Sequence, residues 1–278
     1  MLLGLAAGKI GDLVFYRDGG EQRTRTRVIP KNPRSPLQMA QRVKIANVSA
    51  FYRLFASVIR DSFTNLPSNQ SGYNAFAKQA IAVSPYVTRE MALRGSILPA
   101  PYAVSKGTLQ PLMFGIGESG GETEFAVEFF GLEQGMSTVG AVSAAILANN
   151  QGFQNGDKIV CLAAGFAANE DASDADSYIA SPYVSVFTID TADMTTIANA
   201  GFNTADQALV FVTPSFGDTA AFAAIHVRED ASAGLMVSSA VAALSTAAQS
   251  LYDGYRTEQA LNEAIASYGV GSESPLRE

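Results

Sequence analysis

Between Glu21 and Val28 the chain changes character at every residue, as Glu-Gln-Arg-Thr-Arg-Thr-Arg-Val. Strand side chains alternate between faces, so this run predicts a strand with Arg23, Arg25 and Arg27 on one side and Gln22, Thr24, Thr26 and Val28 on the other. The three guanidinium groups then form a row spaced about 6 to 7 Å apart. Asp18-Gly19-Gly20 supplies a turn whose glycines take positive φ at little cost, and residues 12–17 (DLVFYR) read as the pairing strand. Together they predict a β-hairpin arm over residues 12–28 that also carries Arg17. A two-stranded ribbon is marginal alone, so the arm must lie against the rest of the protein or against a partner.

Prolines set the geometry of the next segment. Pro30, Pro33 and Pro36 keep a connector extended, with Lys31 and Arg34 between them. Ser35 is a good helix N-cap, Pro36 suits the first helical position, and Gln38 completes a Ser-x-x-Gln capping box. Apolar residues then recur at three- and four-residue spacing from Leu37 to Phe63, which predicts one amphipathic helix from Pro36 to about Leu66. That is about 30 residues, or roughly 45 Å. Arg42, Lys44, Arg53 and Arg60 fall on its polar positions.

Charge divides the chain in two. The first 60 residues hold 11 bases and three acids, a balance of +8, whereas residues 61–278 hold eight bases and 23 acids, a balance of −15. A basic front end on an acidic chain either holds something anionic or docks on an acidic surface, including that of another copy. Charged residues make up only 16%, below the quarter usual for soluble domains. Either neighbouring subunits cover much of the surface, or the chain simply uses few charges.

Beyond the basic stretch, a second helix is expected over residues 71–82 and a short third over 88–94. Seven short apolar or alternating runs come next, at 112–116, 122–130, 158–166, 184–189, 208–213, 221–227 and 235–244. Residues 137–148 read as a helix, with Ser137 as cap candidate and Asn149-Asn150-Gln151-Gly152 as the stop. A C-terminal helix begins after Thr257. The fold class is therefore α+β: an N-terminal hairpin arm and long helix, then a β-rich, sandwich-like body with a helical insertion and a C-terminal helix. The expected divisions are a basic arm and helical module over 1–110, an acidic body over 111–247 and a helical segment over 248–278.

The familiar catalytic patterns fail on context. Gly115-Ile-Gly117-Glu-Ser-Gly120 has the letters of a dinucleotide fingerprint, but residues 122–130 read as a strand where a helix is required, so a β-turn is expected. The single histidine, His226, sits among apolar residues and reads as structural. Cys161 alone excludes an internal disulfide and a cysteine-rich zinc site, and its apolar surroundings predict a buried, inert thiol. The acidic run at 170–176 lacks the glycine and closing glutamate of a calcium loop, so a solvated loop is expected. No catalytic residues, cofactor or metal are therefore expected, and the chain is not read as an enzyme.

No window approaches the roughly 18 apolar residues of a membrane span. The start of the chain has no basic segment and too short an apolar run for a signal peptide, so folding in the cytosol is expected. The informative residues are thus Arg17, Arg23, Arg25, Arg27, Lys31, Arg34, Arg42 and Lys44, with Phe15, Tyr16 and Tyr52 nearby. They suit docking on another subunit's carboxylates, phosphate contacts on nucleic acid, or a merely solvated face, and the first is preferred because the rest of the chain supplies the carboxylates.

The string Gly8-Lys-Ile-Gly-Asp-Leu-Val-Phe-Tyr-Arg17, together with Lys31-Asn-Pro-Arg-Ser-Pro-Leu-Gln-Met-Ala-Gln-Arg42, resembles the N-terminal signature of a functionally uncharacterised family of gut anaerobic bacteria and their tailed phages. Residues 149–157 and the pieces 224–228 and 234–239 look similar to the same group. The resemblance implies no catalytic residues. It implies a virion or assembly component, built in the host cytoplasm, that contacts other virion proteins and copies of itself as a homo-oligomer, with nucleic acid as the alternative partner.

Overall fold

The computed structural model describes residues 8–18, 21–28, 35–119, 122–169 and 177–269. The glycines of the expected arm turn, the connector 29–34 and the acidic run 170–176 lie outside the described residues. Strand β1 (Gly8–Ile10) pairs antiparallel with β2 (Leu13–Asp18), and β2 pairs antiparallel with β3 (Glu21–Thr26). The arm is a three-stranded sheet where two strands were expected, because Gly11, at φ 58, turns the chain back and sets Lys9 opposite Val14.

Helix α1 (Pro36–Leu54) starts where the capping signal placed it, with the Ser35 hydroxyl accepting from the Gln38 N–H at 3.4 Å. It does not run to Leu66. Phe55 leaves helical geometry (φ −123, ψ 25), and only the four-residue α2 (Ala56–Ile59) extends beyond it. Past Ile59 two competitors keep the helix from resuming. The Ser62 hydroxyl takes the Val58 carbonyl, and the Lys106 backbone captures the chain beyond it through Lys106 N–H to Ser62 O and Thr64 N–H to Lys106 O. Apolar periodicity continues through the break because Phe51, Phe55, Ile59 and Phe63 all enter the same core.

Helices α3 (Gly72–Val83) and α4 (Arg89–Leu93) stand where helices were expected, and Ser71 and Thr88 cap them. Gly72 is required by contact, since a Cβ there would lie 2.0 Å from the Arg60 carbonyl oxygen. The extended segment after α4 is tied to α1 by a buried amide: Asn47 Nδ2 donates to Leu98 O and to the Tyr102 hydroxyl, and Asn47 Oδ1 accepts from Leu98 N–H. Tyr102 in turn donates to Ser84 Oγ at 3.0 Å. Burial of this phenol pushes its pKa well up, so it stays a neutral donor.

Short β4 (Ala103–Ser105) leads into the body. There β5 (Phe114–Ser119) and β6 (Glu122–Glu128) form a hairpin, α5 (Val139–Asn149) comes after it, and β7 (Lys158–Ala168) and β8 (Tyr178–Thr188) form a second, longer one. Next come β9 (Phe202–Ala205), β10 (Ala208–Phe211), β11 (Ala220–Asp230), β12 (Gly234–Val237), β13 (Ala240–Val241) and β14 (Ala243–Leu244), then α6 (Thr246–Gly254) and α7 (Glu258–Ser267). The cap of α5 is Thr138, whose hydroxyl accepts from Ala141 N–H, and not Ser137. The single strand expected at 235–244 is three short pieces, of which β12 and β14 pair with β11 and β13 pairs with β4.

The body is layered around one sheet, ordered β12-β11-β7-β8, with β14 also on β11. Helices cover one face, where Val160, Leu162, Ala223 and Ile225 meet Phe51, Phe55, Phe76 and Tyr102. The second sheet, β5-β6-β10-β9, covers the other with α5, where Ile159, Cys161, Phe222 and Ala224 meet Phe125, Phe211, Val142 and Ile146. Phe125 stacks on Phe222 at 5.2 Å between the sheets. Each such aromatic stabilises the fold by about 1.5–3 kcal/mol through burial alone. Being covered on both sides, β7 and β11 are near-continuous apolar runs instead of alternating ones. The α+β architecture with a sandwich-like body is thus present, and Cys161 is buried, its thiol pKa pushed up by burial.

Candidate functional site

Register assigns the arm's side chains to two faces. Lys9, Val14 and Arg25 lie opposite one another, with Tyr16 and Arg23 beside them on the same face. Ile10, Leu13 and Thr26 share the other face with Phe15, Thr24, Arg17 and Gln22. One face is therefore cationic with an aromatic ring in it. The other carries Ile10, Leu13 and Phe15 beside two threonines, Gln22 and Arg17, and Ile10 there is 68% exposed. Arg25 lies over the Tyr16 ring at 5.5 Å, a cation–π contact, and Arg23 reaches Glu21 at 3.6 Å. Every described residue of β1 and β3 is exposed.

The other nominated residues are dispersed. Arg17 is on the face opposite Arg23 and Arg25, and Arg27 lies just past β3, where its N–H donates to Asp12 O. Lys31 and Arg34 lie outside the described residues. Arg42 is exposed on α1, and half-buried Lys44 sits 5.8 Å from the Tyr86 ring, which Arg256 also covers at 5.0 Å. The positive charge of the arm does not continue as one stripe along the helix. Of the aromatics, only Tyr16 shares the arginine face; Tyr52 packs on Tyr73 and Phe76 in the body.

Among the described residues, a buried polar cluster gathers around the lone histidine. Asp157, at the start of β7, receives both Nε and Nη2 of Arg228 (2.7 and 2.6 Å), His226 Nε2 (2.8 Å) and the Gln154 N–H (2.8 Å). Burial alone would raise the Asp157 pKa, but these bonds outweigh it and hold the carboxyl below the usual range. Burial lowers the His226 pKa more than Asp157 raises it, leaving a neutral ring that donates from Nε2. Its Nδ1 is buried without a hydrogen-bond partner, and Phe153 stacks on the ring at 4.6 Å. A nucleophilic triad needs a hydroxyl or thiol on that second nitrogen, and among the described residues none is bonded to it. The cluster instead ties β7, β11 and the loop before β7 together, since Arg228 also donates to Gly152 O at 2.7 Å.

Beside that loop a cleft of about 770 Å³ opens at the end of the second sheet. Its floor and rim include Met113, Phe129, Phe130 and Phe153, and its charged groups are Glu128 and Asp206. Both walls are held by hydrogen bonds to the backbone. Asn150 Oδ1 accepts from Phe130 N–H and its Nδ2 donates to Phe130 O, both at 2.9 Å. On the far side the turn carrying Asp206 and Gln207 is clamped by Phe129 N–H to Gln207 O and by Gln207 N–H to Leu132 O. Gln207 adopts φ 55, a left-handed geometry costing about 1–2 kcal/mol, which these clamps sustain. Gly115 and Gly117 lie within strand β5 instead of in the expected turn, Gly120 lies outside the described residues, and β6 stands where a dinucleotide loop would need a helix.

Among the described residues no group of three or more His, Cys, Asp or Glu is placed to hold a metal ion, and no helix is long and apolar enough to cross a membrane. No family model matches the chain, and neither does any curated protein or solved structure.

Proposed function

We propose that this chain is a structural subunit of a phage-type particle whose N-terminal arm clasps a neighbouring subunit. The observation that carries the reading is the arm itself, a sheet of three short strands whose two outer strands are exposed throughout. So small a sheet gains independent stability only by packing a hydrophobic face, and Ile10 and Leu13 stand open on the side away from Arg23 and Arg25. A partner would cover that face while the arginine face finds carboxylates. The likeness of residues 8–17 and 31–42 to a phage-borne signature supports placing this contact in a particle.

Sedimentation velocity on the full chain tests the clasp. Association is expected at low salt and is expected to weaken as salt rises, because exposed charges are screened beyond about 8–10 Å at physiological ionic strength. Arg23, Arg25 and Arg27 changed together to Ala should give a monomer with an unchanged melting temperature. A wild-type chain that stays monomeric at high concentration in low salt rules the reading out.

Nucleic acid is the second reading, favoured by Tyr16 standing among Lys9, Arg23 and Arg25, since single strands are held by cations interleaved with stacking rings. It requires a mobility shift that falls steeply with salt and is lost in the same triple variant.

A further inference from the structure

The cleft at the end of the second sheet and the arginine face of the arm carry matching chemistry, and we propose that the arm of one copy seats Arg23 and Arg25 in this cleft on a second copy. The inference rests on the clasp reading and names its receiving site.

The cleft selects for a cation. Two carboxylates, Glu128 and Asp206, line it, and among the described residues no Lys or Arg does. The register sets Glu128 opposite Ala208, two residues from Asp206, so both acids stand at the same end of the sheet. Three amide side chains, Gln110, Gln151 and Gln207, add carbonyl acceptors to its lining. Phe130, 69% exposed, offers an open ring at the rim. A guanidinium has five donors, no acceptor and a plane that stacks on aromatic rings, so carboxylates, amide oxygens and a ring face together suit arginine better than a phosphate or another anion. The clamps on Phe130 and Gln207 fix both walls before a ligand arrives, which reduces the ordering cost of binding.

The arm supplies the complement. Arg23 and Arg25 share a face, about 6 to 7 Å apart along one strand, and Arg25 is held over the Tyr16 ring. The occupant is a second copy because the arm is not seated in its own body: its outer strands are exposed throughout. The wider charge balance, +8 in the first 60 residues and −15 in the rest, favours the same encounter. Arm and cleft are different surfaces, so the contact is head-to-tail. Repetition of such a contact closes a ring or extends a filament.

Charge swapping tests it in the full-length chain, with association followed by sedimentation velocity at low salt. E128R/D206R and R23E/R25E should each weaken self-association by about a hundredfold, because like charges then face each other. An equimolar mixture of the two variants should associate again, since each then offers the other a complementary pair. If E128R/D206R lowers the melting temperature, the isosteric E128Q/D206N replaces it, with a weakening of about tenfold expected. Association lost in R23E/R25E but retained in the cleft variants overturns this inference and leaves the clasp standing on another surface. Loss in both charge-reversed variants without recovery on mixing also overturns it. Absence of association in the wild type removes the clasp reading itself.

Discussion

Arg25 and Arg228 carry the same guanidinium into opposite surroundings. Arg228 forks onto Asp157 with the buried His226 beside it, and its side chain is only 15% exposed. Arg25 stands on an exposed strand with a tyrosine ring as its neighbour. Inside the body the charge is fully used by the fold, where Asp157 holds two strands and a loop together. On the arm the charge faces solvent across a single ring contact and remains available to a partner. Basic residues alone therefore do not mark a contact surface. What marks it is whether the fold has already consumed them.

The largest expected effect lies on the buried side. Asp157→Ala strands Arg228 and His226 without their acceptor and frees the Gln154 N–H, and breaking a buried pair of this kind costs about 3–5 kcal/mol. Urea unfolding of the full chain measures it. Arg25→Ala in the same experiment should leave the midpoint where it was. Equal losses from the two substitutions would erase the distinction, by showing that the arm is part of the cooperative body.

How far the residues foretold this division depends on whether their signals were local. The arm strands, the Ser35 and Thr257 caps, the helices near 71–82 and 88–94 and most body strands arise from alternation, capping and turn chemistry within a few residues, and they are where those rules put them. The break at Phe55 was hidden because Phe51, Phe55, Ile59 and Phe63 keep a helical spacing while the backbone beyond them is captured by Lys106, over 40 residues away. Helix α6 and strand β9 were overlooked for the opposite reason: each is short, and Ser245, the α6 cap, closes a run that reads as strand. The Asp157 hub was out of reach, since Asp157 and Arg228 are 71 positions apart and nothing local joins the pieces 149–157 and 224–228 that hold them. The cleft likewise joins Gln110, Glu128, Gln151 and Asp206 from four separate stretches. Its only local hint was Asn149-Asn150, read as a helix stop; Asn150 also pins Phe130.

A smaller effect arises from the neutral histidine. An unfolded histidine titrates near about 6.5, and burial lowers the folded value of His226. Below about pH 6.5 the unfolded chain takes up a proton that the folded chain resists, so this contribution is complete above that pH and declines as pH falls. Asp157 adds a second decline at lower pH. Its folded carboxyl is held below the usual value of about 3.9, so its contribution is present above that value and is lost as pH drops through the folded one. Urea midpoints recorded from about pH 8 to pH 4 should show the first slope in the wild type and lose it in His226→Gln. A flat wild-type profile across about pH 7 to 5 contradicts a neutral, buried His226.

The smallest effect sharpens the comparison most, because it changes depth and little else. Lys158 and Glu229 pair at 2.8 Å on the same two strands, each one residue from a member of the buried pair, yet their side chains are 40% and 71% exposed. Sequence neighbourhood, strand and charge type are thus nearly matched to Asp157 and Arg228, and solvent is what differs. Water and salt screen an exposed pair, and holding two flexible side chains together offsets most of the gain. Lys158→Met should leave the urea midpoint unchanged at physiological salt, and a double-mutant cycle with Glu229→Gln should find no measurable coupling. Coupling as large as the loss from Asp157→Ala would mean that position on the β7–β11 ladder, and not burial, gives the Asp157 hub its strength, and the contrast between Arg228 and Arg25 would then need another cause.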